Sequence, residues 1–300
     1  VRSIRASAIR GADVHAGLLG TAKALRRRPA AVAGLATCLL LVAIALAAPW
    51  VAPHDPAAQH RDALLAPPVW AGGDWRFPLG TDDLGRDVAS RLVWGARVSL
   101  AVGLASIGLA LVPGVLLGLV AAFFPGWPAT VIGRTVDLLV AVPGLLLAIA
   151  VVAVLGPGLA NTTLAIALVL LPPFVRLVRA SAIAEQAKEY VVASRLAGAS
   201  RARLMFDTVL PNCAAPVIVQ ATLGFSTAVL EAAALGFLGL GAQPPTAEWG
   251  TMLSGSRDYI ERASWLVTLP GLAILVTVLA INLFGDGLRD ALDPRLKDHG

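Results

Sequence analysis

Few side chains in these 300 residues have the type and spacing to do chemistry. There is no GxxxxGK(S/T) to cradle a nucleotide's phosphates, no HExxH to hold zinc and no GxSxG to present a serine nucleophile. His15, His54, His60 and His299 stand outside every long apolar run, so they build no zinc site at membrane depth. Cys38 and Cys213 fall in no CxxC or other ligand spacing, and no disulfide is expected. No catalytic residue, metal or cofactor is expected on this chain. Three polar groups remain. Glu231 is the one charge in an otherwise apolar run. A carboxylate at membrane depth costs a few kcal/mol unless it faces protein or water. Glu231 should therefore line a polar pathway, pair across a subunit interface, or take a backbone hydrogen bond. Asp82, Asp83, Arg86 and Asp87 form the densest charge group between residues 53 and 97. They either cap and brace a short helix or meet a partner or gate outside it, and their spacing fails as a calcium loop. The third group is YVVASRLAGASRARLMFDTVLP, 190–211, with three arginines and an aspartate between long uncharged runs.

The elements that hold these groups follow from composition. Hydrophobic residues make up 57% of the chain and charged ones 14%, against about 25% charged in soluble domains. A net charge of +5 fits basic residues gathered on one side of a membrane better than nucleic-acid binding, so no nucleic acid is expected. A span needs roughly 20 apolar residues. Residues 1–28 are basic and cytoplasmic in this reading, and 29–52 form the first transmembrane helix, a retained anchor rather than a cleaved signal. Residues 53–97 are an extracytoplasmic segment. Within it an interfacial helix is expected from about Asp83, capped by Thr81 or Asp82, with Asp87 and Arg91 paired. Residues 98–285 are the transmembrane core. The second span, 98–124, contains Gly114-xxx-Gly118, which lets helix backbones approach. Residues 125–137 read as a turn. Residues 138–175 carry no charge, and as one helix they would be about 57 Å long, so they must be two spans broken at GPGLANTT, 156–163. The fifth span starts near Pro216 and the sixth covers 264–285. Residues 286–300 form a tail in which Asp286, Arg289, Asp290, Asp293 and Arg295 either brace the cytoplasmic face or are solvated. The fold expected is all-α with six transmembrane helices and both termini cytoplasmic.

The loop 180–213 reads as helix, turn, helix. Gly198 is expected to take a left-handed backbone, Ser200 to cap the next helix and Pro211 to stop it. From the residues alone this is either a docking surface or a surface helix whose arginines reach lipid headgroups. A DNA-reading helix-turn-helix is a third reading, with membrane spans pinning both its ends.

The stretch resembles the cytoplasmic docking loop of binding-protein-dependent ABC importer permeases. Their pattern is Glu-Ala-Ala, three residues, Gly, nine residues, Ile, one residue, Leu-Pro. Here Ala193, Gly198, Leu210 and Pro211 match, whereas Val192, Ser194 and Thr208 depart from the Glu, Ala and Ile of the pattern. Three more segments, 77–100, 230–253 and 282–296, are similar to the dipeptide, oligopeptide and nickel importer permeases, in particular the second permease subunit of the dipeptide type. The resemblance implies a type I importer fold in a bacterial plasma membrane, paired with a sister permease. It further implies two cytoplasmic ATPases carrying ATP and Mg, an extracytoplasmic substrate-binding protein, and di- or oligopeptides as cargo. Ala193, Ser194, Ala197, Gly198, Ala199, Leu210 and Pro211 would then meet an ATPase. Asp82, Asp83, Arg86 and Asp87 would meet the binding protein or gate the outer mouth. Glu231 would face the pathway or the sister subunit and could attract a peptide's amino end. A self-sufficient secondary transporter or channel is the rival, although it usually shows an internal repeat and several midplane ligands. A membrane scaffold is the non-transport alternative.

Overall fold

The computed structural model describes residue 25 and residues 28–292. Most of the basic N-terminus, together with Asp293, Arg295 and His299, lies outside the described residues. Among the described residues nine helices of seven residues or more carry the fold: α1 Pro29–Leu46, α2 Val88–Phe123, α3 Trp127–Ala141, α4 Gly144–Leu155, α5 Leu159–Gln186, α6 Glu189–Leu196, α7 Ala214–Phe237, α8 Trp249–Gly255 and α9 Trp265–Leu292. Among the described residues no strand forms beyond a single bridge between Thr81 and Asp87. Among the described residues five helical stretches are long and apolar enough to cross a membrane, six if the bent pair α3–α4 is one span.

Small residues decide how the spans meet. A Cβ on Gly114 would sit 2.5 Å from the Phe174 Cβ, and one on Gly118 would sit 2.7 Å from the Val178 Cβ. The GxxxG of α2 is therefore the seam against α5, where only glycine permits this approach. On the other flank a Cβ on Gly34 would meet the backbone oxygen of Ala280 at 2.6 Å, so α1 lies hard against α9. Arg28 and Asp290 pair where these two helices end.

Four expectations change. The interfacial helix and the second span are one helix of 36 residues, because nothing between Leu92 and Gly103 breaks it and Gly95 and Gly103 seat Trp249 and Phe225 against it. It begins at Val88, capped by Asp87 rather than by Thr81 or Asp82. The expected turn 125–137 is helical, and the third span is bent by 96° between α3 and α4. Pro143 sits at that bend, where its missing N–H ends the helical ladder. Pro211 does not stop the helix after Ser200. The backbone widens to a π turn over Leu204–Val209, tightens to a 3₁₀ turn over Leu210–Cys213, and continues into α7. The proline has no N–H to donate, and the widened turn absorbs that loss. The Asn212 side chain donates to the Thr208 carbonyl at 2.8 Å across the same turn.

Candidate partner-docking turn and outer-face lock

The candidate docking turn is built at the shared end of α5 and α7. α5 runs on to Gln186, and α6 starts afresh at Glu189. Gly198 has φ +83, the left-handed backbone expected of it, and nothing lies within 4 Å of where its Cβ would be. The Ser200 side chain accepts from the Arg203 N–H at 3.3 Å, as the capping pattern requires. Ala193, Ala197, Gly198 and Pro211 are exposed, while Ser194, Ala199 and Leu210 are half-buried. Ala193, Ala197 and Gly198 therefore present an open surface, while Ala199 packs against the cluster beneath the turn.

The opposite side of the turn is fixed. Val191 is fully buried in a cluster with Leu204, Met205, Val209 and Cys213 from the turn and Val178 and Ala182 from α5. Glu185 is almost wholly buried. It receives a hydrogen bond from the Tyr190 hydroxyl and pairs with Lys188 at 2.7 Å. Burial, followed by the acceptor Glu185, pushes the Tyr190 hydroxyl well above its ordinary pKa, so it stays a donor. Sequence reasoning missed Glu185, because nothing local marks a glutamate at the end of a helical run as an anchor.

The four charges before α2 turn mostly inward. Asp87 is fully buried and accepts from Ala89 N and Ser90 N at 3.3 and 3.0 Å. Asp82 accepts from the Leu84 and Arg86 N–H groups at 3.0 and 2.9 Å and from Arg86 Nε at 2.6 Å. Arg91 does not pair with Asp87; it stands 3.6 Å from Asp82 and donates to the Pro56 carbonyl at 3.1 Å. Asp83 makes no ion pair among the described residues, and Asp87 meets only His54, at 3.4 Å. Burial and the neighbouring Asp82 raise the pKa of Asp83.

Behind this group lies a lock that sequence reasoning also missed. Glu248 caps α8 by accepting from Gly250 N at 2.8 Å and Thr251 N at 2.9 Å, and it accepts from Ser99 Oγ at 3.2 Å. Trp249 is buried and donates from Nε1 to the Leu92 carbonyl at 3.1 Å. The two residues join α2, α7 and α8, and the glycines of LGFLGLG give the carboxylate its room: a Cβ on Gly236 would lie 2.4 Å from Glu248 Oε2.

Glu231 lies on α7, inside the membrane span. Its Oε2 is buried without a hydrogen-bond partner among the described residues, and its Oε1 is 3.7 Å from where a Cβ of Gly144 would be. The carboxylate thus abuts the first residue of α4, at the break in the third span.

Comparison with known proteins agrees with this architecture. Residues 114–298 match the family described as binding-protein-dependent transport system inner membrane component, and residues 20–68 match the N-terminal transmembrane domain of oligopeptide transport permease C. The chain is 64% identical over 269 residues to the di/tripeptide transport system permease protein DppC of Pseudomonas aeruginosa, covering 89% of each. It is 56% identical over 273 residues to the dipeptide transport system permease protein DppC of Escherichia coli, covering 91% of each. A chain of the MetNI methionine ABC transporter, solved in inward-facing conformations, superposes with a TM-score of 0.56 at 20% identity, covering 67% of this chain and 96% of that one. The fold is that of the type I importer permeases, and the chain belongs to the family of inner membrane components of binding-protein-dependent transport systems.

Proposed function

We propose that this chain is one of two permease subunits of a peptide-class ABC importer in a bacterial plasma membrane. It forms half of the pathway for di- and oligopeptides beside a sister permease. Two cytoplasmic ATPases hold ATP and Mg, and an extracytoplasmic binding protein delivers cargo. The peptide cargo is supported by the named activity of relatives that align over about nine-tenths of the chain. In this reading both termini lie in the cytoplasm, with the turn at Gly198.

The observation that carries the reading is a turn open outward at Gly198 and fixed inward by Glu185, Tyr190 and Val191. A groove on an ATPase would seat Ala193, Ser194, Ala197, Gly198 and Ala199, with Leu210 and Pro211 at the base. The turn follows α5 after two residues, packs on its Val178 and Ala182, and enters α7 without a gap, so a push on it moves both helices as levers. α7 carries Glu231 against the start of α4, so the movement reaches the bend of the third span. There Glu231 would face the pathway or the sister subunit, where an ammonium group would relieve its buried charge. On the other face Asp83, the least satisfied acid of its cluster, is the candidate contact for the binding protein; Asp82, Arg86 and Asp87 would hold it in place.

The test is purification from the native membrane in mild detergent, with Gly198→Arg run in parallel. Chains carrying GxxxxGK(S/T) should accompany the wild type and be lost with the variant. Recovery of the chain alone, or only with copies of itself, in both preparations would overturn the reading.

A further inference from the structure

A second polar site lies at the same end of the molecule as the turn, beside Phe124, on which Arg201 of the turn stacks. A cavity of about 390 Å³ opens between the α2–α3 connection, α3 and α5, lined by Gly126, Thr130, Arg134, Asp137, Arg179 and Ile183. Arg179 reaches across to α3, with a terminal nitrogen 3.8 Å from where a Gly133 Cβ would lie. Asp137 is already neutralised by Arg176 at 2.7 Å. Among the described residues no carboxylate stands within salt-bridge reach of Arg134 or Arg179. The cavity therefore carries two uncompensated guanidinium groups.

Its surroundings are apolar. α3 exposes Trp127 by 78% and Val131 by 55%, and α5 exposes Ile183 by 50%. Arg176 is the first charge after the uncharged run 138–175, and Arg179 is about one turn farther along α5. This is the depth at which hydrocarbon gives way to headgroups, where tryptophan concentrates. A free anion needs only the two arginines. A ligand with a phosphate and acyl chains also uses the exposed tryptophan and the aliphatic border. We propose that this cavity binds the phosphate headgroup of an anionic phospholipid such as phosphatidylglycerol, in the leaflet on the docking-turn side. The inference rests on the membrane reading of the chain but not on its cargo or its ATPases. Bound lipid at this place would tie α3, the first limb of the bent span, to α5, which leads into the docking turn.

The test is native mass spectrometry of the purified transporter titrated with phosphatidylglycerol or with phosphatidylcholine of the same chains. Phosphatidylglycerol should be retained preferentially. Arg134→Gln with Arg179→Gln should weaken its binding by roughly thirtyfold, about fivefold per arginine. Both side chains are exposed, so thermal unfolding should not change, and Arg179→Lys should keep most of the binding. Arg97→Gln, at the opposite end of α2, should leave retention intact. Equal retention of the two lipids, or equal binding by the double variant, would overturn the proposal. Displacement by inorganic phosphate in excess would also overturn it, by assigning the site to a free anion. So would phosphatidylglycerol binding that appears only after ATPase subunits are removed, since an acidic ATPase side chain would then be the occupant. Lipid retention with no co-purifying ATPase would keep this site and remove the importer reading, so the two failures are distinguishable.

Discussion

A single methyl group at Gly236 should disable the lock that joins α2, α7 and α8. A Cβ there would stand 2.4 Å from Glu248 Oε2 and 3.1 Å from the Gly250 Cα and carbonyl carbon, so the carboxylate has to move. Overpacking of this kind costs about 1–3 kcal/mol. Moving the carboxylate also strains hydrogen bonds from Gly250, Thr251 and Ser99, each worth about 1.5–3 kcal/mol when one partner is charged. The better helix propensity of alanine returns up to about 1 kcal/mol. The net for Gly236→Ala is a loss of about 2–4 kcal/mol. Glu248→Ala removes the cap and leaves buried donors unpaired, at about 3–5 kcal/mol in all. Combined, the new methyl no longer meets a carboxylate and only the 3.1 Å contacts to Gly250 remain. The double variant should therefore cost about 1–3 kcal/mol less than the sum of the singles. The assay is thermal unfolding of the purified chain in detergent. At about 2–4 °C per kcal/mol for chains of this order, Gly236→Ala should lower Tm by roughly 4–16 °C. A Gly236→Ala variant within about 1 °C of wild type, or strictly additive losses in the cycle, would refute the reasoning.

Burial pushes the Glu248 carboxyl above the usual range, although its hydrogen bonds oppose this. The folded chain then holds a proton that the unfolded chain releases, so stability falls as pH rises from the ordinary glutamate value toward the raised folded one. Glu248→Gln should remove that slope in a series of melts across mildly acidic pH. At the docking turn Gly198→Asn separates backbone from space: asparagine accepts left-handed φ and nothing crowds the position. Its melting should match wild type, while ATPase co-purification should fall at least about tenfold, or roughly 1.4 kcal/mol of binding. At the α2–α5 seam a Cβ on Gly114 would meet the Phe174 Cβ at 2.5 Å. Gly114→Ala should cost about 1–3 kcal/mol and Gly114→Leu should abolish recovery of folded protein, as read by size-exclusion chromatography.

What was legible in the sequence was whatever the bilayer or the local backbone dictates. Hydrocarbon thickness demands about 20 apolar residues per span, so six spans could be counted from uncharged runs alone. Gly198 and Ser200 declared their turn because a left-handed residue and an N-cap are local requirements, met by few residue types. Tertiary structure decided whatever depends on which distant groups meet. By residue type Thr81 and Asp82 were the cap candidates, yet Asp87 caps the helix, because the turn around Asp82 consumes that carboxylate's oxygens. Pro143 and Pro211 look alike as helix breakers, yet one bends a span by 96° and the other is absorbed by a widened turn. Glu185 and Glu248 are ordinary glutamates in sequence. They became an anchor and a lock only when α5 met Tyr190, and when Ser99 of α2 and Gly236 of α7 came within reach of the start of α8. Those pairings join residues up to 149 positions apart, and no local periodicity encodes a contact across that separation.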